Sequence, residues 1–351
     1  MTLPARRVPS PLAVEIRDGA VESLAGLLAD GRISPRGRIA VAVGPGIGEE
    51  LAAHAGSWLE SATVFKVEGG TVEGARALVE ELFLSSYDVL VGIGGARTLD
   101  VAKYAGTLAG IPVVAVATNL AHDGIASPVA SLEHDGRRGS YGVQMPMCVV
   151  IDLDYVRRAP RRQRTSGVGD VVAKFCAVAD WELSHRVNGE AVDGLAVTMA
   201  RLSAEAVVVR TDGIDSPLFL RTLAESLVLC GMAMAVAGSS RPCSGACHEI
   251  SHAIDLLFPG RSTHGEQVAV GALFATFLRE GEVSARLSEC LARHGLPRTP
   301  ADLGLDEEQF TEAVLAAPGT RPGRYTILEH LELTPDDIRS QVGDFTRAVG
   351  R

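Results

Sequence analysis

Three of the nine histidines fall close together, and their spacing suits metal chemistry. His248 and His252 are four apart, so on a helix they share one face, and His264 follows one loop later. Neutral imidazoles converging in this way suit a divalent metal. The same letters spell H-E-x-x-H, the helical zinc-peptidase signature, with His248 and His252 as ligands and Glu249 as base. That reading needs a third ligand, and Asp255 stands where the extended peptidase motif continues with Gly. Cys243 and Cys247 add soft donors, without a second C-x-x-C pair beside them. In Gly167-Val168-Gly169-Asp170, Asp170 is either the N-cap of a helix running to Trp181 or a carboxylate completing a metal site. Ordinary core or surface histidines remain the plain alternative, weakened by the clustering.

A second kind of chemistry lies upstream. Gly92-Ile93-Gly94-Gly95-Ala96-Arg97-Thr98-Leu99-Asp100 follows an apolar run and opens a helical pattern. Glycines at a strand–helix junction let backbone N–H groups and a helix N-terminus meet a phosphate, as a dinucleotide pyrophosphate requires. A tight turn without ligand is the competing reading. Gly44-Pro45-Gly46-Ile47-Gly48 mimics this motif but has the wrong spacing and a Pro inside. Thr118–Pro128 gathers hydroxyl, imidazole and carboxylate groups after a strand, where open α/β sheets bind ligands, or is a polar turn-rich loop.

These groups need a scaffold, and the pattern supplies two. Arg38–Val43, Ala62–Val67, Asp88–Val91 and Pro112–Val116 read as strands, alternating with helices over Gly48–Leu59, Val72–Leu84 and Thr98–Leu108. That alternation means βαβ units and a parallel sheet. Met147–Ile151 reads as a further strand, and Thr118–Gln144 is too long for a plain connector. Beyond Tyr155 the pattern is helical: Val171–Ser184, Ala191–Val209, Pro217–Ala237, Gly245–Leu257, Glu266–Arg279, Glu282–His294 and Asp306–Ala316. The break is placed in the arginine-rich stretch Arg157–Arg164. Two domains follow: residues 1–155, an α/β dinucleotide-binding domain, and 156–351, a helical metal- and substrate-binding domain.

A net charge of −10 excludes a general nucleic-acid or anionic-membrane binder. Residues 1–18 hold no apolar core of a signal peptide, and no uncharged run is expected to span a bilayer. The six scattered cysteines do not form a disulfide framework, and the compartment expected is the cytoplasm. Lys66, Lys103 and Lys174 are the only lysines, read here as a compositional skew toward arginine. Self-association into a homo-oligomer stays open.

Together, GIGGARTLDVAKYAG, HDGIASP, GVGDVVAKFCAVADW, GSSRPCSGACHEISHAIDLL and HGEQVAVG resemble the sn-glycerol-1-phosphate dehydrogenases, over about residues 40 to 275. These share a superfamily with glycerol dehydrogenase, iron-containing alcohol dehydrogenases and 3-dehydroquinate synthase. The resemblance implies a dehydroquinate synthase-like fold, with a Rossmann-like α/β N-terminal domain and an all-helical C-terminal domain. It implies zinc, or another divalent metal, on Asp170, His248 and His264. It places Asp123 and His252 against the substrate as catalytic groups. It lays NAD or NADP along Gly94, Gly95, Arg97, Thr98 and Asp100, with Thr118 and Ser127 nearby. The implied reaction is reduction of a small phosphorylated hydroxyketone, dihydroxyacetone phosphate, to sn-glycerol 1-phosphate, within phospholipid biosynthesis. Ala96, Ala117, Ala121 and Cys247 depart from the usual Gly, Pro, Ser and Glu, and bear on substrate identity. Competing readings are another polyol dehydrogenase, a sugar-phosphate cyclase (disfavoured by the few lysines), the metallopeptidase, and a non-catalytic binding protein.

Overall fold

The computed structural model describes residues 8–54, 59 and 61–350. They group into two compact units. The first takes the chain up to Asn119, Gly124–Ala159 and Met234–Ser239; the second takes Leu120–Asp123, Pro160–Ala233 and the chain from Ser240 onward.

The strands of the first unit are β1 (Ala13–Arg17), β2 (Ile39–Val43), β3 (Thr63–Lys66), β4 (Val89–Gly94), β5 (Val113–Ala117), β6 (Val129–His134), β7 (Arg137–Gly142) and β8 (Cys148–Asp152). Six form a parallel sheet in the order β1-β8-β5-β4-β2-β3. Its helices are α1 (Leu24–Leu28), α2 (Ile47–His54), α3 (Val72–Leu84), α4 (Ala96–Ala109) and α5 (Leu153–Arg158). Strands β2, β4, β5 and β8 are buried at every residue, as parallel strands covered on both faces must be. Their period of two divides the core. Ile39, Val41 and Val43 pack with Leu24 and Leu51 on one face; Ala40 and Ala42 meet Leu78 and Ala102 on the other. Small residues on that second face bring α4 close: a Cβ on Gly92 would stand 2.8 Å from the Ala102 Cβ.

The long stretch Thr118–Gln144 contains the antiparallel β6–β7 hairpin. Asp135 and Gly136, both at positive φ, make its two-residue turn, the backbone that Asp-Gly favours between paired strands. Helix α2 is described as far as His54, and residues 55–58 of the helix expected to Leu59 lie outside the described residues. Strand β1 was not expected, because its half-exposed Ala-Val-Glu-Ile-Arg lacks the apolar run of the inner strands.

The second unit holds α6 (Arg161–Val172), α7 (Lys174–Asn188), α8 (Gly194–Val208), most of α9 (Pro217–Ala237), α10 (Ala246–Leu257), α11 (His264–Phe277), α12 (Glu282–His294), α13 (Glu307–Thr320), α14 (Ile327–His330) and α15 (Pro335–Val349). Helix α9 has the length and apolarity of a membrane span, yet 61% of its most apolar window is buried in the protein. The arginine-rich stretch Arg157–Arg164 contains the change of unit, between Ala159 and Pro160, and is helical on either side of it. Its arginines have partners: Arg161 and Arg164 pair with Asp215, and Arg162 with Glu266. Because α6 starts at Arg161, Asp170 lies in its last turn, and the N-cap reading of Asp170 is overturned.

Candidate metal centre and cofactor loop

Glycine sets the positions of the three candidate ligands by permitting contact between backbones. A Cβ on Gly169 of α6 would lie 2.2 Å from the carbonyl oxygen of Gly265, and one on Gly265 would lie 1.9 Å from that of Ser166. Real side chains cannot approach so closely, so the approach of α6 to α11 at this point requires both glycines. Asp170 and His264, each next to one of them, are thereby brought together. Gly271 does the same for α10, where a Cβ would stand 2.8 Å from the Cys247 carbonyl oxygen, next to His248. One oxygen or nitrogen atom from each of Asp170, His248 and His264 falls within a single 4.8 Å group.

Hydrogen bonding settles which nitrogen of His264 is available. The Ser251 hydroxyl donates to Gln267 Oε1 at 2.7 Å, and Gln267 Nε2 donates to Asp255 Oδ1 at 2.9 Å. Ser251 Oγ, 3.2 Å from His264 Nδ1, therefore offers a lone pair, and His264 Nδ1 must carry the hydrogen. That tautomer leaves Nε2 unprotonated, as metal ligation requires. Burial, reinforced by the neighbouring His248, holds the His264 pKa well below its usual value, so the ring is neutral. Burial also opposes charge on Asp170, but Lys174 and the two imidazoles outweigh it and keep the carboxylate ionised. On His248, burial is outweighed by the Cys247 sulfur and by Asp170, and the pKa rises to about 8. Its Nε2 lies 3.6 Å from Asp170 Oδ1. One carboxylate and two imidazoles, Asp170 and His248 buried and His264 half-buried, fit a zinc-type divalent ion with room for exogenous ligands.

The wholly buried Lys174 was missed by sequence reasoning. Its Nζ lies 2.7 Å from Asp170 Oδ1 and 2.8 Å from Asp123 Oδ2. The available signal was its place four residues after Asp170 in a chain with three lysines. Asp123 N–H donates to Asp170 Oδ2 at 2.8 Å, which fixes the start of the His-Asp-Gly loop against α6. His252 is half-buried one turn along α10; it adds to the field on His264 but lies outside the three-residue group. Glu249 is wholly buried and faces Thr326, whose hydroxyl donates to Glu329 Oε2 at 2.6 Å and whose Oγ1 lies 3.3 Å from Glu249 Oε2. Burial, with Glu329 and Asp180, pushes its pKa up to about 9. A protonated glutamate bonded to Thr326 is no base for water, which removes the ground for the peptidase reading.

In the first unit, Gly94 and Gly95 close β4, and Gly95 caps α4. A Cβ on Gly94 would stand 2.7 Å from Thr98 Oγ1, and one on Gly95 2.6 Å from Asn119 Nδ2. Thr118 N–H donates to the Gly94 carbonyl at 3.0 Å, so the C-terminal ends of β4 and β5 converge here. Arg97 is exposed beside this junction. The other glycine run packs against it: a Cβ on Gly44 would stand 2.1 Å from Thr98 Oγ1. Two candidate cofactor residues turn inward. Asp100 pairs with the fully buried Lys103 at 2.9 Å and accepts from Ser131 N–H at 3.1 Å. Ser127 donates to the Val129 carbonyl at 3.0 Å. Lys103 also donates to the Gly124 and Val129 carbonyls, so α4 clamps the loop after Asp123.

Comparison with known proteins bears on the fold and the family of the chain. Residues 15–160 match the family model described as iron-containing alcohol dehydrogenase. A probable glycerol dehydrogenase from Sinorhizobium meliloti superposes with a TM-score of 0.80 at 20% identity, covering 99% of each chain. Glycerol dehydrogenase from Schizosaccharomyces pombe gives 0.77 at 20% identity, covering 99% of this chain and 91% of that one. These structures establish the fold. Sequence relatives are nearer. The NAD(P)+ glycerol-1-phosphate dehydrogenase of Hyperthermus butylicus is 36% identical over 336 residues, 93% of this chain and 95% of that protein. Its counterpart in Methanothermobacter thermautotrophicus is 34% identical over 334 residues, 94% and 95% of the two chains. With such identity along nearly its whole length, the chain belongs to the glycerol-1-phosphate dehydrogenase family of oxidoreductases.

Proposed function

We propose that this protein reduces dihydroxyacetone phosphate, or a close phosphorylated analogue, to the sn-1-phosphate alcohol with NADH or NADPH. The observation that carries this reading is the meeting of Asp170, His248 and His264, with His264 fixed in the ligating tautomer. These three residues would hold one divalent metal, most simply zinc. When bound, the metal supplies polarisation of the ketone oxygen and the nicotinamide supplies hydride. The chain's own residues orient and protonate. Asp123, half-buried beside Asp170, binds the substrate hydroxyls, and His252 completes the proton path to the new alcohol. Gly94, Gly95, Arg97, Thr98 and Thr118 line the junction assigned to the dinucleotide. Asp100 and Ser127 serve it by shaping the loop, since their side chains are bonded inward.

The test is NAD(P)H oxidation by zinc-loaded protein, with dihydroxyacetone phosphate compared against dihydroxyacetone, together with metal content. The phosphorylated ketone should be reduced and the free ketone poorly. His264→Ala should lose the metal, and His252→Ala should keep it and lose turnover. Preference for unphosphorylated ketones would remove the substrate. Metal retained in His264→Ala but lost in His252→Ala would remove the ligand set.

A further inference from the structure

Asp123 and Asp170 carry the same functional group on adjoining segments, yet the reading above gives one to the substrate and the other to the metal. Their chemistry alone does not divide these roles. A carboxylate within reach of a divalent ion joins it unless something else holds its charge, because an uncompensated buried charge is costly. Lys174 is that other charge. It sits at the start of α7 with its side chain wholly buried, and its Nζ bridges Asp170 Oδ1 at 2.7 Å and Asp123 Oδ2 at 2.8 Å.

The bridge has a direction. An Asp123 carboxylate oxygen falls in one tight group with the sulfurs of Cys230 and Cys243, whereas Asp170 groups with His248 and His264. The two carboxylates thus fall in different groups of candidate ligand atoms, and the Lys174 ammonium joins them. Asp170 keeps ligating capacity, because each carboxylate oxygen has two lone pairs and its bonds to Lys174 and to the Asp123 N–H use one apiece.

We propose that Lys174 is a positioning residue that keeps Asp123 out of the metal's ligand set, so that the site retains three protein ligands and an open face. This rests on the metal reading given above. Three ligands plus an open position is the catalytic arrangement; four protein ligands make a closed, structural one. The lysine also sets the charge. Two carboxylates and one ammonium leave a single negative charge, so a divalent ion makes the centre positive toward an anionic substrate. Lys174 supplies the positive charge as a compact ammonium in contact with both carboxylates.

The experiment compares zinc affinity, by competition with a chromophoric chelator, and the visible spectrum of the cobalt(II) form. Lys174→Met should bind zinc more tightly, on the order of tenfold. Its cobalt bands should intensify as Asp123 closes a four-ligand tetrahedron. Lys174→Met combined with Asp123→Asn should return both signals toward the native protein. Zinc binding in Lys174→Met that is unchanged or weaker, with an unchanged cobalt spectrum, overturns the proposal. So does a double variant that stays tight. Should Lys174→Met fail to fold, Asp123→Asn alone decides: zinc affinity within about twofold of native supports the proposal, and a loss beyond about tenfold shows Asp123 already ligating and overturns it. Native protein that binds no zinc, or His264→Ala that keeps it, brings down the metal reading itself. The present inference falls alone when native binding runs through Asp170, His248 and His264 but Lys174→Met does not tighten it.

Discussion

His264 can ligate through Nε2 only while Nδ1 keeps its hydrogen, and Ser251, Gln267 and Asp255 decide that it does. Gln267→Leu frees the Ser251 hydroxyl to donate to His264 and so favours the wrong tautomer. Zinc affinity should then fall by about ten- to a hundredfold, measured by chelator competition, with folding intact by circular dichroism. Gln267→Glu, which still accepts from Ser251, should retain most of the affinity. Equal losses in both variants would assign Gln267 to packing. At this scale the sequence was only partly legible. The histidines stood out because imidazoles four apart on a helix face are uncommon and their chemistry is narrow. Ser251, Asp255 and Gln267 did not, since each is an ordinary helical polar residue until its partner on the other helix is known. Lys103 and Lys174 were read as compositional skew; both are fully buried against carboxylates. Glu249 had a familiar motif around it and points the other way, toward Thr326.

At the site the helices approach through glycine-to-carbonyl contacts, to which side-chain bonds such as Arg162–Glu266 and Ser251–Gln267 are added. Gly265→Ala forces α6 and α11 apart at Ser166, since the group in the way is backbone and cannot rotate aside. The expected cost is about 3 kcal/mol of stability, with loss of metal binding because Asp170 and His264 separate. Gly194→Ala, at a helix start with nothing within 4 Å of the added Cβ, is the control and should be neutral or slightly stabilising. Urea midpoints for both variants, with zinc titrations, check this; a neutral Gly265→Ala would refute the close-contact account. Among the elements, strands buried on both faces were easy to read, because two packed faces force an unbroken apolar run. Val72–Leu84 and Pro217–Ala237 were read to the residue. β1 and the start of α6 were not, because their stability comes from partners distant in sequence: β8 for the first, and Asp215 and Glu266 for the arginines of the second.

The molecule as a whole carries a pH liability away from the metal centre. His294 at the end of α12 is wholly buried against Phe219, with ring centroids 4.3 Å apart, and neither ring nitrogen has a hydrogen-bond partner among the described residues. Burial, aided by Arg293 and Arg161 and opposed by Asp212, pulls its pKa from 6.5 to about 4. The folded protein therefore holds the neutral ring, and the unfolded chain takes up the proton first on acidification. The contribution to stability is fully present above pH 6.5 and is lost as pH falls toward 4. Urea midpoints at neutral pH and within that window should show a smaller drop for His294→Leu than for the native chain; identical drops would clear His294. A different vulnerability belongs to α9. Its 21 residues make a rod of about 30 Å, the thickness of a bilayer's hydrocarbon core, and its burial in the fold and its Arg221–Glu225 pair distinguish it from a membrane anchor. During synthesis α9 leaves the ribosome before α10 and α11 exist. For that interval the apolar face of α9 is exposed, and chaperones that hold apolar surface are suited to it. The order of translation thus delays the burial of this one helix until later segments have emerged.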